Sequence, residues 1–359
     1  MIPVLKPSLH KQGIKELVKV IKSGWWGQGP KTIEFEIEFA KKLGVKYAIA
    51  TNSCTSALDM ALKVYNIKDG ELITTAMTFV ADAIVGEWNN LDVTFADIKE
   101  DTLCIDPESI TITPKTKAII AVHSHGRLAD IRGIRKKFKG LIIEDCAHAC
   151  FTPKVGLMGD IAVWSFQAVK SLPCGDGGMI TTNNKRIAQK LRDMSWLGVQ
   201  KSTYSRTSNK KYSWDYDIKQ TGVKSYMNDI NAVIALENLK RIDKLTEKRR
   251  KIQKKYNEAF KDLDVILPEY SHTVQYYTLK VKNRDKISNY LAEQGIATSV
   301  HFKPLSEMTY WKKAVKRELP VTDKIWKELL SLPCYYDLTN KQQNYIIKTF
   351  KEAVKKINK

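Results

Sequence analysis

The sequence predicts an α/β protein with a largely parallel main sheet, followed by a smaller α+β unit. Three observations carry this reading. Short β-rich runs alternate with helical patterns from about residue 45 onward, the alternation changes character after a long basic helix, and 359 residues exceed one typical domain.

In chain order, "KYAIATNS" reads as a strand and "TSALDMALKVYNI" as the helix that follows it, opened by hydroxyl residues suited to capping. "ELITTAM" and "FVADAIVGEWNN" repeat the pairing, and "DVTFADI" adds a strand. "KAIIAVHSHG" precedes the helical "IRGIRKKFK", and "GLIIEDCAHAC" brings three apolar residues before two acids. "IAVWSF" is an apolar run broken only by Ser165, as in a buried strand, and "GGMITTNN" leads into the helical "KRIAQKLRDMSWLG". Strands separated by helices imply a mostly parallel sheet with its ligand at the carboxyl ends of the strands.

In "LKRIDKLTEKRRKIQKKYNEAFK", residues 239–261, Leu239, Ile242, Leu245, Ile252, Tyr256 and Phe260 recur at roughly helical spacing, so its charges read as the solvated face of an amphipathic helix. After it, "VQYYTLKV", "ISNYLAEQGIATSVHF" and "NKQQNYIIKTFKEAVKKIN" read as the smaller α+β domain. The boundary is expected near residue 240, giving domains 1–240 and 241–359.

Hydrophobic residues at 43% and charged residues at 27% fit a soluble protein with a sizeable core. No apolar run approaches the roughly 18 residues of a membrane span, and "MIPVLKPSLHKQG" lacks a secretory apolar region, so a cytoplasmic protein without a membrane partner is expected. The six cysteines are scattered; only Cys146 and Cys150 are close, and no second Cys/His pair accompanies them, which favours free thiols over a metal site. The net charge of +20 comes without a zinc finger, RNP-like motif or helix-turn-helix signature, and suits a phosphate-bearing substrate better than nucleic acid.

The chemistry begins at "SFQAVKSLPCGDGGM". Lys170 stands between an apolar run and a glycine-rich turn, where burial would make its amine nucleophilic. Upstream, Glu144 and Asp145 end an apolar run, and buried carboxylates need a cation or strong donors. An acid for a pyridinium nitrogen together with a lysine for a Schiff base is what pyridoxal 5'-phosphate (PLP) requires. "NSCTSAL" offers hydroxyls and helix-start amides for the phosphate, and Ser165 is a second hydroxyl source.

The ordered set "NSCTSALDMAL", "TFVADA", "VHSHG", "IIEDCAHA", "GDIAVWSFQAVKSLPCGDGGMITTN", "GVKSYMNDINA" and "HFKPL" resembles the DegT-type (DegT/DnrJ/StrS) sugar aminotransferases, from "SGWWGQGPKTIEFE" to "LSLPCYYDLT". The resemblance implies a fold-type-I, aspartate aminotransferase-like large domain. It implies PLP as cofactor and amino transfer from an amino acid, L-glutamate by analogy, to the C3 or C4 keto group of a nucleotide-diphosphate-linked deoxy-sugar. It makes Lys170 the Schiff-base and proton-transfer lysine, Asp145 the partner of the pyridine nitrogen, His148 a contact of the 3-hydroxyl, and Thr55, Ser56 and Ser165 phosphate ligands. Phe79 matches the aromatic that stacks on the ring. Lys224 stands where the family commonly has an Asn reaching the neighbouring subunit's phosphate, which implies a homodimer with shared sites. His301 matches a histidine near the substrate, and Trp26 in the "SGWWGQGP" loop is a candidate to line the sugar or base pocket.

The sequence departs from the family pattern at Gln167, Ser306, His125, Gly126 and Leu128, all expected on the substrate side. Relatives that remove a sugar hydroxyl carry histidine in place of the lysine, so Lys170 favours transamination over the alternative of a PLP-dependent sugar dehydratase. The intact Asp145 and Lys170 pair argues likewise against a non-catalytic regulatory relative.

Overall fold

The computed structural model describes residues 1–200, 204, 206, 214–312 and 318–358. Two helices, α1 (Lys11–Ser23) and α2 (Pro30–Leu43), come first, where the sequence reading assigns no element. The alternation then follows: β1 (Tyr47–Thr51), α3 (Cys54–Val64), β2 (Gly70–Thr75), α4 (Ala81–Trp88), β3 (Leu91–Ala96), β4 (Thr116–Val122), α5 (Ile131–Lys137), β5 (Leu141–Asp145), β6 (Ile161–Ser165), β7 (Gly178–Thr182) and α6 (Lys185–Ser195).

The seven strands form one sheet in the order β1-β7-β6-β5-β4-β2-β3. Strands β6, β5, β4, β2 and β3 pair in parallel, while β7 runs antiparallel to both of its neighbours. Every residue of β5, β6 and β7 is buried, which explains their near-continuous apolar character: helices cover both faces of such a sheet. On one face Trp164 packs edge-on to Phe39 of α2 at 5.3 Å between centroids, and its indole N–H donates to Thr181 Oγ1 at 3.0 Å. On the other, Leu58, Met60 and Leu62 of α3 lie against Ile143, Val163 and Ile180.

Helix α7 (Asp229–Leu239) precedes the long basic helix α8 (Ile242–Phe260). The early residues Ile242 and Leu245 of α8 join the core of the large sheet, and Ile252, Tyr256 and Phe260 join a second core. That core covers a three-stranded antiparallel sheet of β8 (Val265–Ile266), β9 (Tyr277–Val281) and β10 (Leu329–Leu332). Helices α9 (Arg284–Glu293), α10 (Pro320–Ile325) and α11 (Asn340–Ile357) complete this α+β unit. The chain's first residues also reach it: Ile2 bridges Ile296, and the Cys334 N–H donates to the Val4 carbonyl at 3.0 Å.

Candidate active site

A cavity of about 450 Å³ opens at the carboxyl edge of the parallel strands, beside the start of α3. Thr55, Phe79, Asp145, His148, Ser165, Lys170 and His301 all line it, drawn from five separate stretches of sequence. Ser56, Lys224 and Trp26 lie outside that lining.

Asp145 is the last residue of β5. Its Oδ1 accepts the Ala147 N–H at 2.8 Å and faces the Cys54 thiol at 3.9 Å. The preceding Glu144 points to the opposite face of the strand, as the two-residue pleat requires, so only one of the two acids serves the cavity. Ser165 closes β6, and Lys170 sits five residues beyond it, in a turn rather than on the strand itself. That turn is pinned at its base: Cys174 N–H donates to the Phe166 carbonyl and Phe166 N–H to the Gly177 carbonyl, each at 2.8 Å. Lys170 is thereby carried, half-buried, into the cavity on a closed loop.

Helix α3 begins on the far side. Ser53 is its cap, with Oγ accepting the Ser56 N–H at 3.1 Å, and this engages Ser56 in the turn itself. Gly178 of β7 fits so tightly beneath this loop that a Cβ there would come within 2.4 Å of the Ser53 carbonyl oxygen. The start of α3 is therefore held against the sheet, with Thr55 turned to the cavity, as a site for an anion.

Phe79, ahead of α4, leaves 56% of its surface open at the cavity, a free face on which a flat ring can stack. The second unit supplies Tyr276, His301 and Phe302. The Tyr276 and His301 rings stack at 3.7 Å between centroids, and Phe302 stacks on His148 at 5.6 Å. Burial, then the charge of Lys170, push the His301 imidazole down to about 3 and hold His148 well below the usual histidine range. The Tyr276 hydroxyl lies 3.5 Å from His148 Nε2, whereas Nδ1 of His148 is buried with no partner among the described residues.

Cys54, Asp82, Asp176, Tyr276 and Phe302 are cavity residues that the sequence reading did not single out. Asp82 stands in the "TFVADA" motif, where a second acid is the one signal in the sequence that could have found it. Its Oδ2 accepts the Thr78 hydroxyl at 2.6 Å, while Oδ1 is buried with no donor among the described residues. Burial, then the charge of Asp145, push the Asp82 carboxyl well above the usual carboxylate range.

Lys224 and Trp26 meet elsewhere, at Trp196. The Lys224 ammonium lies 5.7 Å from the Trp196 ring centre, and Trp26 shares a separate cavity with Trp25, Trp196 and Tyr226.

The donor set fits PLP. A carboxylate and a lysine line one cavity, a helix start with hydroxyls can take the phosphate, an aromatic face is open for the ring, and His148 Nδ1 is buried with no partner among the described residues.

Residues 7–351 match the DegT/DnrJ/EryC1/StrS aminotransferase family. The spore coat polysaccharide biosynthesis protein SpsC of Bacillus subtilis is 34% identical over 99% of this chain and 97% of its own length. The sugar aminotransferase CalS13 of Micromonospora echinospora superposes with a TM-score of 0.87 at 27% identity, over 98% of this chain and 100% of that one. Spr1654 of Streptococcus pneumoniae in its PLP form gives a TM-score of 0.90 at 28% identity, over 99% of each chain.

Proposed function

We propose that this chain, which belongs to the DegT/DnrJ/EryC1/StrS aminotransferase family and is a sugar aminotransferase, moves an amino group from L-glutamate to the C3 or C4 keto carbon of a nucleotide-diphosphate-linked deoxy-sugar. The observation that carries the reading is the convergence of Lys170 and Asp145 on one cavity, opposite the start of α3.

The family is PLP-dependent, and bound PLP supplies an electrophilic carbon for amines and a ring that accepts the electrons of a carbanion. Lys170 would hold the cofactor through its amine and, once released, carry a proton between the cofactor carbon and the sugar carbon. Asp145, fixed by the Ala147 amide, would hold a proton on the ring nitrogen. Thr55, Ser165 and the α3 amides, with Ser56 as a further hydroxyl, would hold the phosphate. Phe79 would cover one face of the ring and His148 its 3-hydroxyl, with Tyr276 and Phe302 excluding water and His301 beside the sugar.

Lys224, outside this cavity, is read as serving the other subunit of a homodimer with shared sites, and Trp26 as a candidate to line the sugar or base pocket. The chain's cationic balance suits a diphosphate bound away from the reacting carbon. Six free cysteines suit the reducing cytoplasm.

The test is the absorbance of the PLP-loaded protein. L-glutamate should move the cofactor's visible band into the near-ultraviolet, and a nucleotide-linked keto-sugar should restore it. A band that L-glutamate leaves unchanged would remove the proposed donor.

A further inference from the structure

Asp82 is a second acid at the cavity, placed in the first turn of α4, and the chemistry assigned above to Lys170 and Asp145 leaves it without a role. Its surroundings are restrictive. The Thr78 hydroxyl occupies Oδ2, Oδ1 is sealed from solvent with no donor on it among the described residues, and the Asp145 carboxyl lines the same cavity within hydrogen-bond reach. The other groups facing the pair are the Cys54 thiol from the start of α3 and the Lys170 ammonium from the turn after β6. Among the described residues neither Asp82 nor Asp145 forms an ion pair.

Two carboxylates can bond to each other only if one of them carries a proton, and like charges so close and so buried do not both ionise. We propose that Asp82 and Asp145 share one proton, which makes Asp82 a positioning residue for the carboxylate that meets the ring nitrogen of PLP. The proton rests on Asp82, whose O–H donates to Asp145. Asp145 is thus oriented from one side by the Ala147 amide and from the other by Asp82, and the pair presents a single negative charge to a single ring N–H. The inference rests on the PLP reading for its last step only; the shared proton belongs to the protein alone.

The sign of the pH dependence follows. The folded chain keeps on Asp82 a proton that the unfolded chain gives up above about pH 4, so Asp82 costs stability increasingly as pH rises from there toward its raised folded pKa. Asp82→Asn removes that cost while keeping a donor for Asp145 and an acceptor for Thr78. The full chain, stripped of cofactor, is melted at pH 4 and pH 8 as wild type, Asp82→Asn, Asp145→Asn and the double variant. Asp82→Thr, which keeps a hydroxyl donor, stands in if the amide misfolds.

Asp82→Asn should melt several degrees above wild type at pH 8, with the gain vanishing toward pH 4 and shrinking in the Asp145→Asn background. A gain equal at both pH values, a loss at pH 8, or an undiminished gain without Asp145 would overturn the shared proton. PLP binding, read by fluorescence titration, separates the two readings. Asp82→Asn should stay near wild-type affinity, whereas Asp82→Val, which takes the donor from Asp145, should weaken it about tenfold. If the melting signature appears but Asp145→Asn binds PLP as wild type does, the shared proton stands and the cofactor assignment of Asp145 falls.

Discussion

Nε2 of His123 lies 2.8 Å from Oε2 of Glu144, and both side chains are sealed from solvent. His123 Nδ1 accepts the Ala129 N–H at 3.0 Å, so the ring proton sits on Nε2 and is donated to the carboxylate. Glu144 also accepts the Gly156 N–H at 2.9 Å, the Met158 N–H at 2.6 Å and that of Gly159. It is thus the structural acid of the adjacent pair, tying the loop after β5 back to the strand that presents Asp145.

Burial raises the Glu144 carboxyl, but the His123 bond and the Gly159 and Met158 amides outweigh it and hold the group below its usual range. Its stabilisation is present above the unfolded carboxylate pKa and lost as pH falls through the folded one. Glu144→Gln should therefore cost about 3 kcal/mol at pH 7, as breaking a buried charged network does, with the deficit narrowing below about pH 4. Denaturant unfolding at the two pH values measures it.

Asp229 plays a comparable part at the "GWWGQGP" loop. Its Oδ1 accepts the N–H groups of Gly29 and Thr32 at 2.9 Å and the Thr32 hydroxyl at 2.7 Å, and Oδ2 accepts the Lys31 N–H at 3.1 Å. The carboxylate caps α2 from another helix. Asp229→Ala should cost about 2–3 kcal/mol through unsatisfied amides and red-shift the fluorescence of Trp25 and Trp26. Thermal melts and emission spectra check both.

His301 gives a different pH signature. Its folded pKa is pushed down to about 3, so below about pH 6.5 the unfolded chain takes up a proton that the folded chain refuses, and stability falls as pH falls. Replacing it by Asn should reduce the acid-side slope of unfolding free energy between pH 6 and pH 4 by up to about 1.4 kcal/mol per pH unit. An unchanged slope would show that His301 charges freely in the folded protein.

Lys224→Ala and Lys170→Ala should each be inactive as homodimers if the site is shared. Mixed after subunit exchange, they should recover up to about a quarter of wild-type activity, because half of the randomly paired dimers regain one intact site. No recovery in verified heterodimers would contradict a site that Lys224 completes from the other subunit.

The alternation of strands and helices was legible because each parallel strand is buried on both faces and writes a short apolar run, as in "IAVWSF". Asp145 and Lys170 stood out in the sequence because each lies just beyond an apolar run, and both line the cavity at the ends of those strands. Glu144 and Asp145 could be told apart only through the register of the pleat. Asp82 was passed over although it stands in "TFVADA", since an acid in the first turn of a helix is ordinary and only its burial beside Asp145 sets it apart. Tyr276 meets His148 across 128 residues of chain, a contact no local pattern announces. Helices α1 and α2 went unread, although Ile14, Leu17, Val18 and Ile21 of α1 recur at helical spacing; Ile14, Val18, Ile21, Ile33 and Ile37 remain exposed.

The central claim is that Lys170 holds the cofactor. Reducing the PLP-loaded protein with borohydride, digesting it and sequencing the peptides by mass spectrometry tests this directly. One stoichiometric pyridoxyl adduct is expected, on Lys170 in the peptide containing "SFQAVKSLPCGDGGM". An adduct on another lysine, with Lys170 unmodified, would contradict it.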